Sequence, residues 1–280
     1  MNQTMLILLG GVAVLLAIAS VIGFVLSRRT TSDGAGATID NLNARIRAWW
    51  LMVAMFAIAF VTGKLVTIAL FALTSFYCLR EFISITPTRA EDHRSLAAAF
   101  YLFIPLQYWL VATGWTTLFT ILIPVWAFLL LPVLAVVRGE TEDFLPRTAR
   151  IQWALMLTVF CVSHAPALLN LKIPGFERQG FLLLFFLIAV VQLSDVLQYV
   201  FGKLLGQRKI APRVSPSKTW EGLIGGALTS TLIGSALWWI TPFSPLQAAA
   251  MAFAICWPVS SAAWYSPPSS VRWAPRTGAR

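Results

Sequence analysis

The chain has 280 residues, of which 58% are hydrophobic and only 11% charged, with a mean hydropathy of +0.77. A soluble domain carries about 25% charged residues, so this composition cannot coat a water-soluble globule. What remains is a chain solvated by lipid, in which each segment must satisfy its own backbone hydrogen bonds.

The apolar runs are longer and more continuous than the alternating ten-residue strands of a barrel. The fold class is therefore all-α: a polytopic integral membrane protein. Runs of roughly spanning length fall near residues 5–26, 49–62, 65–79, 95–112, 116–137, 151–169, 180–201, 221–240 and 245–256, which predicts about nine transmembrane helices. The leader before the first run, Met1-Asn2-Gln3-Thr4, has no positive charge, and the run itself is too long for a signal-peptide core. It reads as a retained membrane anchor. A polar, Gly-containing loop is expected from Ser27 to Ala48. Residues 1–48 then form an anchor and cytoplasmic loop, and 49–256 one transmembrane domain. The short second and third runs predict a tight helical hairpin around Gly63-Lys64.

The net charge of +10 has a simpler explanation in membrane topology than in nucleic acid. With the N-terminus outside, the inner loops hold fifteen basic residues and the outer loops only Lys64, Lys172 and Arg178. That is the positive-inside pattern of a multi-pass protein of the cytoplasmic (inner) membrane. No nucleic-acid partner is implied. Cys78, Cys161 and Cys256 lie far apart in apolar runs and predict neither a disulfide nor a zinc site. His93 and His164 stand alone, without a second ligand at metal spacing.

The chemistry concentrates between Gln192 and Gly226. Ser194-Asp195 interrupts the seventh run, and a carboxylate at membrane depth costs around 2.5–3.5 kcal/mol. Asp195 must therefore face a cavity, a cation or a partner. Gln192, Asp195, Gln198, Tyr199 and Gly202 recur at three- and four-residue spacing and share one helix face. Then follow a basic loop and Ser215-Pro216-Ser217-Lys218-Thr219-Trp220-Glu221-Gly222. Ser215 is expected to cap a helix whose first residue is Pro216, and a helix N-terminus with a lysine and a hydroxyl suits phosphate. No glycine precedes Lys218-Thr219 at the spacing of a Walker A loop. Gly222 and Gly226 have the small-xxx-small spacing that lets helices approach closely.

Ser194-Asp195-Val196-Leu197-Gln198-Tyr199, Phe201-Gly202-Lys203 and the stretch from Ser215 to Gly222, with Leu79-Arg80-Glu81-Phe82 earlier, resemble the membrane-bound phosphatidate cytidylyltransferases (CDP-diacylglycerol synthases). The resemblance covers most of residues 45 to 256. It implies that CTP and phosphatidate, at the lipid bilayer, give CDP-diacylglycerol and pyrophosphate with magnesium (Mg2+), and it allows a homodimer. It implies catalytic roles for Asp195, Lys218 and Glu221, and metal binding by Asp195. It implies substrate binding by Lys203, Ser215, Thr219 and Gly222, with Glu221 orienting Lys218 or assisting the metal. The rivals are a CTP-dependent membrane lipid or polyprenol kinase, and a transporter or scaffold in which Asp195 serves an ion path.

One departure from the family pattern lies at the C-terminus. A motif S-x-x-K-R-x-x-x-x-K-D-x-G, supplying further carboxylates, is expected after the ninth helix begins. Residues 257–280 instead contain no Asp or Glu. Moving the frame by two bases at Trp257, with a consistent choice of codons, converts the tail to A-G-F-L-G-G-L-V-F-S-A-I-K-R-S-L-G-A-K-D-W-G, which holds that motif. The tail 257–280 is expected to be frameshifted.

Overall fold

The computed structural model describes residues 3–29, 33–86, 88–89, 92–136, 143–177, 179–211 and 215–262. The chain divides into two compact units, Met1–Leu171 and Lys172–Arg280. The division falls inside the stretch expected to be one transmembrane domain.

The first unit has six helical rods among the described residues. They are α1 (Gln3–Arg29), α2 (Asp33–Thr62), α3 (Lys64–Ser84), α4 (His93–Thr113), α5 (Thr116–Val136) and α6 (Phe144–Asn170). Each contains a stretch long and apolar enough to cross a membrane. The turn between α2 and α3 sits at Gly63, whose φ of 109° lies in the left-handed region where a side chain would be strained. Pro105 in α4 lies two residues after a wide π-helical turn at Ala99–Phe103, and Pro124 in α5 lies inside another at Leu122–Ala127. Proline lacks the N–H of a regular turn and crowds the carbonyl four residues back, and a widened turn relieves both defects.

The expected loop from Ser27 to Ala48 is a correction. α1 continues to Arg29, and α2 already begins at Asp33. The reason is amphipathic: Ile39, Leu42 and Ile46 recur at helical spacing, and Ile46 is buried. The indole of Trp50 donates to Ser20 Oγ at 3.0 Å, fastening α2 to α1.

Before α4, the loop is pinned by a buried ion pair. Arg147, in the first turns of α6, places Nη2 2.9 Å and Nε 3.0 Å from Asp92 Oδ1. The other oxygen of Asp92 accepts from the Arg89 amide at 2.9 Å. His164 has a local role: its Nδ1 lies 2.7 Å from the Phe160 carbonyl, and its ring packs against Phe119 and Phe160.

The second unit contains α7 (Gly180–Leu204), β1 (Lys209–Ala211), β2 (Ser215–Thr219), α8 (Trp220–Ala236) and α9 (Pro245–Ala262). The strands pair antiparallel, Lys209 opposite Thr219 and Ala211 opposite Ser215. This hairpin is the one departure from all-α among the described residues. α7 is long enough to span, whereas α8 has 17 residues and the apolar part of α9 covers Pro245–Trp257. All nine predicted runs are helical, but only seven meet spanning length and apolarity among the described residues. A 3-10 turn, Trp238–Ile240, follows α8 within the expected run. Residues 263–280, most of the tail for which a frame change is expected, lie outside the described residues.

α8 buries a row of small residues: Gly222, Gly226, Ser230 and Gly234. A Cβ at Gly222 would stand 2.8 Å from the Gln198 carbonyl and 2.9 Å from Gly202 Cα, and one at Gly226 would stand 2.6 Å from the Gln198 nitrogen. A Cβ at Gly234 would run into Ala252 of α9. The row brings the backbones of α7 and α8 into contact, as small-residue helix seams do in membranes. It is also what holds the start of α8 beside Asp195.

Candidate functional site

The site builds outward from the last turns of α7. Ser194 and Gln198 are buried, and Gln198 Nε2 donates to Ser194 Oγ at 2.8 Å. Asp195 and Tyr199 are exposed. The shared face expected for residues 192–202 is thus divided: one edge packs against α8, and the other opens away from it.

Lys218, near the end of β2, brings Nζ to 4.0 Å from Asp195 Oδ1, the outer limit of an ion pair. The carboxylate is 63% exposed and the lysine side chain 33% exposed. Among the described residues Asp195 thus has one cation, Lys218, at ion-pair reach, and Lys203 stands exposed nearer the end of α7, in its last turn.

The expected cap at Ser215 is corrected. Residues Ser215–Thr219 form β2, and α8 begins at Trp220. Thr219 is the N-cap: with extended φ −126° and ψ 152°, its Oγ1 accepts from the Gly222 amide at 3.2 Å. The threonine still has its own O–H to donate. The structure puts Ser215 opposite Ala211 in the hairpin, away from the helix start.

Glu221 is drawn back toward the loop. Its Oε2 accepts from the Gln207 amide at 3.1 Å, and both oxygens accept from the Arg208 amide at 3.2–3.3 Å. The Trp220 amide in turn donates to the Arg208 carbonyl at 2.9 Å. Glu221 thus ties the loop after α7 to the first turn of α8. Gly202 and Gly206 permit this closure: a Cβ at Gly206 would stand 2.7 Å from Thr219 Oγ1.

No group of three or more His, Cys, Asp or Glu that could hold a metal occurs among the described residues. Between residues 172 and 280 the acids are Glu177, Asp195 and Glu221. Glu177 precedes α7, at its opposite end, and Glu221 is engaged by two amides. Asp195 is the carboxylate that approaches Lys218 and is otherwise open. Magnesium commonly binds through one or two carboxylates plus substrate phosphates and water, so Asp195 fits as a single protein ligand of such an ion.

The description "Cytidylyltransferase family" belongs to the family model that matches this chain, over residues 43–262. The chain belongs to the cytidylyltransferase family. The match takes in both Asp195 and the whole stretch from Ser215 to Gly222. Escherichia coli (strain K12) YnbB, itself described as uncharacterized, is 36% identical over 239 residues, 84% of this chain and 75% of that protein. The phosphatidate cytidylyltransferase of Brucella abortus biovar 1 (strain 9-941) is 48% identical over 60 residues, 21% of this chain and 22% of its own length. That of Haemophilus influenzae is 43% identical over 54 residues, 19% of each chain. No solved structure matches.

For a cytidylyltransferase-family chain, the sequence left three features of this site unseen. The Gln207 and Arg208 amides as the partners of Glu221 carry no sequence signal, because backbone groups look alike at every position. Thr219 as the cap was legible in principle, since it stands three residues before Gly222 just as Ser215 stands before Lys218. The full row Gly222, Gly226, Ser230, Gly234 was legible from its four-residue spacing beyond the first pair.

Proposed function

We propose that this cytidylyltransferase-family protein transfers CMP from CTP to phosphatidate, giving CDP-diacylglycerol and pyrophosphate. The observation that carries this is the approach of Lys218 to Asp195, 4.0 Å apart, within a stretch that resembles phosphatidate cytidylyltransferases. An oxygen of the lipid phosphomonoester attacks the α-phosphorus of CTP. The bond from that phosphorus to the oxygen bridging toward the β-phosphate breaks, and pyrophosphate leaves. Such transfer depends on positioning and charge neutralisation more than on covalent participation by the protein.

Lys203 and Lys218 supply positive charge to the triphosphate, and the Thr219 hydroxyl is a donor to it. Ser215 remains a candidate contact through the hairpin. Gly222 serves by its missing side chain, since its amide is held by Thr219. Glu221 holds the loop that presents these groups. A magnesium ion, when bound, supplies further neutralisation of the triphosphate, and Asp195 is the residue that would hold it. The site faces the cytosol in this proposal, with the protein multi-pass in the cytoplasmic membrane and its N-terminus outside.

The tail bears on how much turnover to expect. As written, residues 257–280 bring no carboxylate, and the chain is expected to bind CTP weakly and turn over little. Resequencing the gene across codons 250–280 checks this: a TCN codon for Ser270 removes the lysine of the recovered motif and ends the frame proposal.

The activity itself is tested in membranes holding the chain with its frame restored, supplied with CTP labelled at the α- or γ-phosphate. The α-label is expected in the lipid and the γ-label in free pyrophosphate. Transfer of the γ-label to lipid would make the protein a kinase. No lipid product, with solute uptake lost on Asp195→Asn, would make it a transporter.

A further inference from the structure

α8 carries two stripes. Gly222, Gly226, Ser230 and Gly234 are buried, whereas Trp220, Ile224, Leu228 and Leu232 are exposed. The rows share a four-residue spacing and are two residues out of phase, so they lie about 200° apart around the helix. The buried row packs on α7 and α9. The exposed row faces outward among the described residues, and at its N-terminal end it borders a cleft of about 580 Å³ lined by Arg208, Trp220, Glu221, Ile224 and Gly225. This is the size of a small-molecule site.

The composition of the cleft narrows its occupant. Glu221 is engaged by the Gln207 and Arg208 amides, which fixes the backbone from which the Arg208 side chain leaves. The remaining walls are apolar. A pyrimidine ring would gain few base-specific hydrogen bonds there. A guanidinium, by contrast, binds phosphate through paired N–H donors, and tryptophan favours the boundary between head groups and hydrocarbon. Below them the exposed row continues from Trp220 to Leu232, about 18 Å at ~1.5 Å per residue.

We propose that this cleft docks an anionic glycerophospholipid, with its phosphate on Arg208, its glycerol beside Trp220 and one acyl chain along Ile224, Leu228 and Leu232. Only the identification of that lipid as phosphatidate, the acceptor, rests on the function proposed above. An acyl chain on this row never leaves apolar surroundings, so binding requires new contacts for the head group alone. Arg208 is then a positioning residue for the acceptor, while Lys203 and Lys218 serve the nucleotide.

The test uses the full chain in phosphatidylcholine nanodiscs with a trace of phosphatidate bearing a photoreactive diazirine in one acyl chain, followed by peptide mapping. Adducts are expected on residues 220–232. They should fall roughly tenfold in Arg208→Gln, the scale of one lost charged hydrogen bond. They should fall similarly in Ile224→Trp, which fills the cleft and leaves the buried row and Arg208 in place. Equal labelling of the same peptide by a phosphatidylcholine probe would show bulk lipid contact and overturn the site, as would displacement of the phosphatidate probe by CTP. Cytidylyl transfer without labelling here sinks the site and spares the activity. Labelling here without transfer sinks the activity and spares the site.

Discussion

Each unit of this protein holds an aspartate close to a basic side chain, and the two pairs differ in almost every respect. Asp92 and Arg147 are 2.9 Å apart with side chains 6% and 5% exposed, and the spare oxygen of Asp92 takes the Arg89 amide. Asp195 and Lys218 are 4.0 Å apart, with side chains 63% and 33% exposed, and among the described residues no further side-chain hydrogen bond fixes them in place. A buried pair is rigid because removing either member strands a charge away from water. An exposed pair contributes roughly 0–1 kcal/mol, and either partner exchanges easily for a ligand. The first has the properties of a fastening between two segments of the unit, and the second those of a binding site for charged groups.

That contrast can be broken by mutation. Asp92→Ala is expected to destabilise the first unit by about 3–5 kcal/mol, read by thermal or denaturant unfolding in detergent. A loss below 1 kcal/mol would mean that water reaches Arg147 and the pair is not a fastening. Asp195→Asn should do the reverse. It should lower cytidylyl transfer by the frame-restored chain at least 100-fold, about 2.7 kcal/mol in the barrier, with stability changed by less than about 0.5 kcal/mol. If Asp195→Asn instead unfolds the protein, the two aspartates are of one kind.

The seam behind the site comes next in size. Gly226→Leu forces a side chain against Gln198 of α7, and overpacking of this sort costs roughly 1–3 kcal/mol. It should also weaken CTP binding, because the start of α8 moves away from Asp195. The smallest effect is at the cap: Thr219→Ala should cost about 1 kcal/mol, and Thr219→Ser should restore it. Were Ser215 the cap after all, Ser215→Ala would produce that loss and Thr219→Ala would not.

How far the site was legible follows from the range of each interaction. Asp195 stood out because a carboxylate in an apolar run demands a partner, and Lys218 stood out because it follows in a basic loop. Asp92 and Arg147, 55 residues apart, gave no such sign. Each looks like an ordinary loop charge until the fold closes over both. Ser215 carried a good capping pattern, yet pairing with β1 claimed its segment, and local capping rules do not register hydrogen bonds to another strand. The stretch from Asp33 to Ala48 looked polar enough for a loop. Its sparse apolar residues lie on one face, and packing on α1 made it helical.

The sequence by itself determined the lipid-solvated, all-α class of this protein and where its helical runs fall. Hydrophobicity and charge spacing act over one helix length and can be read along the chain. Only the tertiary structure decided which aspartate is sealed and which is open, which residue caps α8, and that Glu221 grips a loop. Those outcomes depend on which distant backbone and side-chain groups the folded chain brings within about 3–4 Å of one another.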